Sequence, residues 1–482
     1  MRIALVNITD NGISGKGYSA PLGLSYIGAI AKKIGLDVRG YDLCVSKDTI
    51  EKYYLKTDYN FLNSISNFKP DLIGMTCSTT NRINLSYWAD IFKKNIPYVV
   101  NIVGGPHPYF FPEKYMLDTK QVDFLVLGEG EKTFDKLIKA YMSESDLSSI
   151  EGIAFRTKEG NVIVNPSGDV IDNLDEIDFP ARDLFPMKEY DIKFGTVVGN
   201  AATIITSRGC GNICKFCCTS NYWKKVRFRS ANNVLDEIES IISEFPYINN
   251  FIFFDDTFTS KRQHAVSICE EIIKRKLKIN WACWSRTNIL DDAYFGILKE
   301  AGCTTLSYGI ESGNDLMLKV IRKNSTVEKN YKALTIGEKH GICTRGTMIG
   351  GMPEEKLEWA VDSIFFMAYS GVSPKDLRMS LYTYIFPGTY WEEWFKNKYS
   401  DFSWEAIPPR FNEGSFVDSS GNIVLPCYRW KGLPYWTLVV LLKTVQRSKI
   451  FRKILSFKLI QNIIRFFIKL FLPEYPQSIY DK

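Results

Sequence analysis

Three cysteines at C-x3-C-x2-C spacing, Cys210, Cys214 and Cys217, stand in the stretch Ser207-Arg208-Gly209-Cys210-Gly211-Asn212-Ile213-Cys214-Lys215-Phe216-Cys217-Cys218. Thiolates this close in sequence can wrap one loop around a corner of a cubane cluster. Cuboidal 4Fe–4S clusters usually take four cysteines, so three without an obvious fourth leave one iron open to a substrate or cofactor. Zinc and inert packed thiols are the alternatives. Structural zinc wants four ligands, typically in paired C-x2–4-C spacing, but no second Cys/His pair lies nearby and the chain has only three histidines. Cys218 is an extra cysteine, read as a packing residue.

The elements around this loop alternate strand with helix. Between residues 196 and 395, strands are expected at Ala202–Thr206, Asn250–Phe254, Ile279–Trp284, Thr304–Ile310, Cys343–Ile349 and Met379–Phe386. Helical patterns such as Ala231–Ile242, Arg262–Arg275 and Leu290–Ala301 separate them. Six such units imply a partial (β/α)6 TIM-like barrel whose site lies at the strand C-termini. Residues 1–145 alternate in the same way, with strands at Ile3–Ile8, Val38–Leu43, Asp71–Cys77, Tyr98–Gly104 and Asp123–Leu127. Amphipathic stretches at Leu22–Ile34 and Asn84–Lys94 make this a doubly wound α/β domain. Ligands of such sheets bind beyond the carboxyl ends of the strands, where the chain carries Gly23, Gly104, Gly105 and Gly128. Residues 146–195 read as a β-hairpin (Ile153–Thr157 with Val162–Val164) followed by a polar linker at Asn173–Asp183.

At 482 residues the chain is too long for one core, so two or three domains are expected. Hydrophobic content of 45% and charged content of 24% are those of a globular protein, and a net charge of +6 is too small to argue for nucleic acid. The apolar run at the N-terminus is too short for a signal peptide. Eleven cysteines then point to a reducing cytoplasm. Cys44, Cys77, Cys269, Cys283, Cys303 and Cys343 sit among apolar residues, where free cysteine packs.

The cysteine motif resembles the radical SAM superfamily signature, with the aromatic Phe216 just before the third cysteine. The resemblance implies that the open iron binds S-adenosylmethionine (SAM), and that an external electron donor such as flavodoxin or ferredoxin drives its cleavage to methionine and a 5′-deoxyadenosyl radical. It also implies SAM contacts at successive strand ends. Asp255 and Asp256 would approach the amino group, although Asp256 could equally cap the following helix. Arg286 would face the carboxylate, and Glu311 the ribose hydroxyls. Gly351, Pro387 and Gly388 would lie in adenine-contacting loops.

The first domain resembles the cobalamin-binding domain fused ahead of such barrels, with landmarks at Ala20–Ile27, Gly104-Gly105-Pro106-His107 and Leu127-Gly128-Glu129-Gly130-Glu131. Classical cobalamin proteins place a cobalt-ligating histidine in Asp-x-His-x-x-Gly. Asp10-x-Gly12-x-x-Gly15 stands here instead, so cobalamin is expected without a histidine ligand from this loop. His107 is expected to orient a loop or touch a corrin side chain. The alternative is a domain of this fold that has lost the cofactor.

From Lys443 to Lys469 there are eight Lys/Arg and no Asp/Glu, interleaved with apolar residues. Within residues 396–482 this reads as a basic amphipathic helix, lying on an anionic membrane or packed on the barrel. If it is membrane-bound, Ile450, Ile454, Phe457, Ile460, Ile464 and Phe467 should form its exposed face. No run spans a bilayer.

The leading expectation is a cobalamin-dependent radical SAM methyltransferase acting on an unactivated carbon of a small molecule or lipid. One SAM would supply the radical and a second would remethylate the cobalamin. The catalytic residues toward substrate are unassigned. Radical cyclisation, rearrangement or C–C coupling without methyl transfer is the alternative enzyme reading, and a non-catalytic iron–sulfur redox protein is the rival from another class.

Overall fold

A computed structural model describes residues 1–8, 19–45, 59–168, 170–288, 291–399, 404, 416–417, 423–425, 427–429 and 432–471. The Asp10–Gly15 segment lies outside these residues.

The first sheet contains β1 (Arg2–Asn7), β2 (Asp37–Asp42), β3 (Leu72–Thr76), β4 (Val100–Gly104), β5 (Phe124–Val126), β6 (Ile153–Arg156) and β7 (Val162–Val164). Its order is β2-β1-β3-β4-β5-β6-β7. Strands β1 to β5 are parallel, and β6 and β7 add antiparallel at the β5 edge. Ile3, Ala4, Leu5 and Val6 of β1 are all buried, as a parallel strand covered on both faces requires. The strand order reverses between β1 and β3, which puts the ligand crevice at the carboxyl ends of those strands. The hairpin thus belongs to the first sheet.

The second sheet is parallel and six-stranded, in chain order: Ala202–Ile204, Asn250–Phe253, Asn280–Ser285, Cys303–Glu311, Cys343–Ile349 and Leu377–Ser380. These are the six expected strands of a partial barrel. The last expected run divides at Leu381, because Tyr382–Tyr384 leaves the barrel to pair antiparallel with Cys427–Arg429.

The segment between the domains is packed. Its turn at Arg182–Leu184 presses on β2, where a Cβ on Gly40 would come within 2.3 Å of the Leu184 carbonyl oxygen. Arg182 is buried, donating to the Thr203 carbonyl and to Glu237. One apolar core runs through both domains, from Leu5 and Phe134 to Phe251 and Trp281.

The basic tail is three helices, Gly432–Arg447, Lys449–Leu455 and Lys458–Phe471, packed on the barrel helix Leu357–Tyr369. Ser448 ends the first and caps the second, accepting from the Phe451 amide at 3.1 Å. The single exposed face expected from spacing is corrected in part: Ile450, Ile454, Phe457 and Phe467 are exposed, but two of the six residues turn inward. Ile460 and Ile464 pack against the core, whereas Leu459 and Phe466 are 71% and 63% exposed. The last helix is apolar on two sides, and packing selected one of them.

Candidate functional site

The cysteine loop begins where the first barrel strand ends. Asp255, at the end of the second strand, accepts from the Thr206 amide at 2.6 Å and from the Thr206 and Ser207 hydroxyls at 2.5 and 2.6 Å. Burial pushes its carboxyl up to about 6, against the pull of those hydrogen bonds. Asp255 thus ties two strand ends together beneath the loop, and both its oxygens are used there. Ser207-Arg208 then pairs antiparallel with Arg227-Phe228. Gly209 follows at φ +94°, where a Cβ would approach the Lys225 carbonyl to 2.7 Å. Only glycine permits this turn.

The loop spreads its three thiols across the barrel mouth. Cys210 Sγ is 3.3 Å from Asn212 Nδ2 and 3.8 Å from Thr257 Oγ1. Cys214 Sγ lies 3.8 Å from Arg286 Nη1 and 3.7 Å from the Arg322 carbonyl. The Cys217 thiol donates to Thr219 Oγ1 at 3.3 Å, and burial raises its pKa. All three are free thiols. Among the described residues, no three His, Cys, Asp or Glu side chains gather closely enough for a single metal ion. Three free cysteine thiols on one loop are the donor type that an iron–sulfur cluster takes.

The other barrel residues singled out by resemblance also lie at strand C-termini. Asp256 accepts from the Gly209 amide and the Thr219 hydroxyl, both at 3.2 Å, so it faces the cysteine loop and caps no helix. Arg286 is buried, with Nη2 on the Lys323 carbonyl and Nη1 toward Cys214. Glu311 has φ +65° and is buried against Lys323 Nζ at 2.7 Å. A left-handed glutamate at a strand end is backbone strain of the kind concentrated at functional sites. Phe216 lies 5.9 Å beneath the same ammonium. Gly351, at φ +68°, donates its amide to Glu355 at 2.6 Å. After Pro387, Gly388 donates to Glu392 at 2.7 Å.

Between the domains lies a cavity of about 630 Å³. The carboxyl ends of β1, β3, β4 and β5 form one wall, and Arg208, Cys218, Tyr222 and Trp223 of the cysteine-loop region form the other. Gly23 lines it, and a Cβ there would meet no protein atom within 4 Å. Gly104 and Gly128 line it as well. Gly105 has φ +110° and lies so close to Cys77 that a Cβ would be 2.5 Å from its carbonyl oxygen. Glu129 lines it too, with its carboxylate accepting from the Ile171 amide and paired with Arg227 and Arg208.

His107 does not line the cavity. Its Nδ1 is 3.2 Å from Thr79 Oγ1, and Phe111, Tyr115 and Trp404 surround the ring. Burial, then the charge of Arg82, lowers its pKa to about 3, so the imidazole is neutral. Neither His264 nor His340 lines the cavity either, so a corrin there has no histidine of this chain within the lining to ligate cobalt. A shelf of glycines facing apolar and aromatic side chains suits a flat, weakly polar macrocycle.

Sequence reasoning missed Arg208, Arg227, Tyr222, Trp223 and Lys323. Arg208 and Arg227 flank the cysteine loop, but their partners lie in another domain or far along the chain. Only the flanking position could have drawn notice.

Residues 204–367 match the Radical SAM superfamily and residues 8–138 match the B12 binding domain. An uncharacterized methyltransferase of Pyrococcus horikoshii is 32% identical over 350 residues, covering 72% of each chain. An anaerobic magnesium-protoporphyrin IX monomethyl ester cyclase of Rubrivivax gelatinosus is 30% identical over 302 residues, 61% of this chain and 53% of the cyclase. Among solved structures, a radical SAM methyltransferase from Kitasatospora setae, with tryptophan and a SAM analogue bound, superposes with a TM-score of 0.70. It is 19% identical, and the match covers 92% of this chain and 88% of that one.

Proposed function

The chain belongs to the radical SAM superfamily with a B12-binding domain ahead of the radical SAM domain, and on that premise we propose that it methylates an unactivated carbon of a small molecule. Its cofactors are a 4Fe–4S cluster, SAM and cobalamin. Together they supply a 5′-deoxyadenosyl radical that removes a substrate hydrogen atom, and the methyl group that replaces it.

The chain's own residues hold, orient and exclude. Cys210, Cys214 and Cys217 hold the cluster, with the Arg286 guanidinium 3.8 Å from Cys214 Sγ. Asp256, Arg286, Glu311 and the loops at Gly351 and Gly388 are the candidates to hold SAM. The Glu311–Lys323 pair is buried, so a ribose reaching Glu311 meets a carboxylate oriented by a fixed ammonium. Gly23, Gly104 and Gly128 let a corrin approach the backbone of the first sheet. The interdomain cavity lies against the cysteine loop, and this adjacency is the observation that carries the reading. Walls from both domains flank the space in which the radical chemistry would take place.

Radical SAM enzymes take electrons from an external reductant, and we infer flavodoxin or ferredoxin here. No described helix is long and apolar enough to cross a membrane. We infer peripheral contact with an anionic leaflet through residues 443–469, because this stretch carries eight basic residues and no acidic one, and its last helix leaves Leu459 and Phe466 exposed. A lipid or other apolar substrate would reach the enzyme there.

The test is anaerobic reconstitution with iron, sulfide and cobalamin, followed by incubation with SAM carrying an isotopic methyl label and extracts from a strain lacking the gene. A product that carries the label is the expected result. A product without carbon from SAM would favour the cyclisation or coupling chemistry, and absence of cobalamin binding would remove the reading.

A further inference from the structure

We infer that Arg208 is an interdomain positioning residue: with Glu129, Glu131 and Arg227 it forms a buried double ion pair that sets where the cobalamin cavity stands relative to the cysteine loop. This rests on the reading of that cavity given above.

The two carboxylates belong to the first domain. Glu129 and Glu131 leave β5 and enter the helix Gly130–Met142, in whose first turn a negative charge is favoured. The two guanidinium groups belong to the second domain. Arg208 stands two residues before Cys210, and Arg227 lies directly across the ribbon from it. Arg208 bonds both oxygens of Glu131, with Nη1 at 3.3 Å from Oε2 and Nη2 on Oε1, and Nη1 is also 3.4 Å from Glu129 Oε2. Arg227 forms an ion pair with the other Glu129 oxygen and donates to the Ile171 carbonyl. None of the four side chains is more than 9% exposed.

Two positive and two negative charges balance, so the cluster of side chains is neutral inside the protein. Such buried pairs seldom add stability over apolar residues of the same size. What a bidentate arginine–carboxylate pair supplies is direction, because the planar fork accepts few orientations. Here the fork is also held by rings. Arg208 lies 5.6 Å from the Tyr26 ring and 5.4 Å from the Trp223 ring, and both rings line the cavity. Burial alone would raise the Glu131 pKa, but Arg208 outweighs it and holds the carboxyl below its ordinary value, so the pair is ionised. One side chain therefore touches the first domain's ligand loop, two walls of the cavity and the strand that leads into the cluster ligands.

The experiment uses full-length protein as wild type, Glu131→Gln, Arg227→Met and Arg208→Lys. In reconstituted protein, electron paramagnetic resonance of the reduced cluster with cob(II)alamin reads their separation through spin–spin relaxation. The wild type should give one narrow distance. Glu131→Gln and Arg227→Met should keep full iron content but broaden that distance and weaken cobalamin binding about tenfold, the scale of losing a supporting contact. Arg208→Lys, which keeps the charge without the fork, should fall between. In cofactor-free protein, amides of residues 128–131 and 227–229 should exchange about tenfold faster in the Glu131 and Arg227 variants, with both sheet interiors unchanged. Wild-type distance, affinity and exchange in those two variants would overturn the inference. A wild type that binds no cobalamin would defeat the reading of the cavity, and amide exchange would still decide whether the clamp orients the domains.

Discussion

Gly388 and Phe110 meet across the domain boundary: a Cβ on Gly388 would stand 2.1 Å from the Phe110 ring. Gly388 follows the barrel strands, and Phe110 ends the helix Pro106–Phe110 beyond β4. Asn221, in the short helix behind the cysteine loop, donates to the Gly388 carbonyl at 2.7 Å. One glycine thus joins the loop after Tyr382–Tyr384, the short helix behind the cysteine loop and the first domain. Its φ of +72° adds a second reason for glycine. Gly388→Ala should cost about 2–3 kcal/mol from left-handed strain and a displaced ring together, and should weaken cobalamin binding. Denaturant unfolding and a cobalamin titration measure both, and wild-type values in both would show that the contact yields freely.

The cysteines should divide sharply by role. Wild-type protein should reconstitute with about four iron per chain. Cys210→Ala/Cys214→Ala/Cys217→Ala should lose the cluster and reductive SAM cleavage together, while Cys218→Ala keeps both. Iron and sulfide assay with 5′-deoxyadenosine quantification decides the matter. A full cluster in the triple variant would remove the central assignment.

Two buried histidines set an acid limit. Burial lowers His107 to about 3 and His264 to about 4, the latter beside Thr206 Oγ1 at 2.8 Å. A histidine whose folded pKa lies below its unfolded value contributes fully above about pH 6.5 and loses that contribution as pH falls. Each should cost the cofactor-free protein about 1.4 kcal/mol between pH 7 and 5.5. Asp255, raised to about 6 by burial, works in the opposite direction and returns under about 1 kcal/mol. The net fall should be about 2 kcal/mol, and His264→Gln, which preserves a nitrogen near Thr206, should flatten it. Urea unfolding at several pH values checks this, and equal slopes in both proteins would contradict it.

The last helix packs one side on the barrel and leaves apolar residues of the other side exposed. Arg465 Nε and Nη2 are each 2.8 Å from Asp362 Oδ1, and Ile468 is buried. Ile468→Asp should therefore destabilise the fold by several kcal/mol through an unpaired buried charge. Leu459→Glu/Phe466→Glu should leave stability nearly unchanged. Wild-type protein should sediment with vesicles containing phosphatidylglycerol at low salt, and the double glutamate variant should not. Equal sedimentation of the two proteins would locate any lipid contact elsewhere.

Residue type and local spacing by themselves determined a great deal. Three ligands within eight positions must share one loop whatever the fold does around them. Periods of two and of three to four mark which side of each element is buried, so both βα series and their strand ends were legible, as were the residues those ends carry. The tertiary structure alone decided how those residues are used. Asp255 turns to Thr206 and Ser207, Ile460 and Ile464 turn inward while Leu459 and Phe466 stay out, and the 153–164 hairpin joins β5. Arg208 finds Glu131 at a separation of 77 residues. Covalent nearness and hydrophobic period are encoded along the chain. A pairing between distant charges is fixed only when two packed domains bring them together and exclude the water that would otherwise satisfy each one.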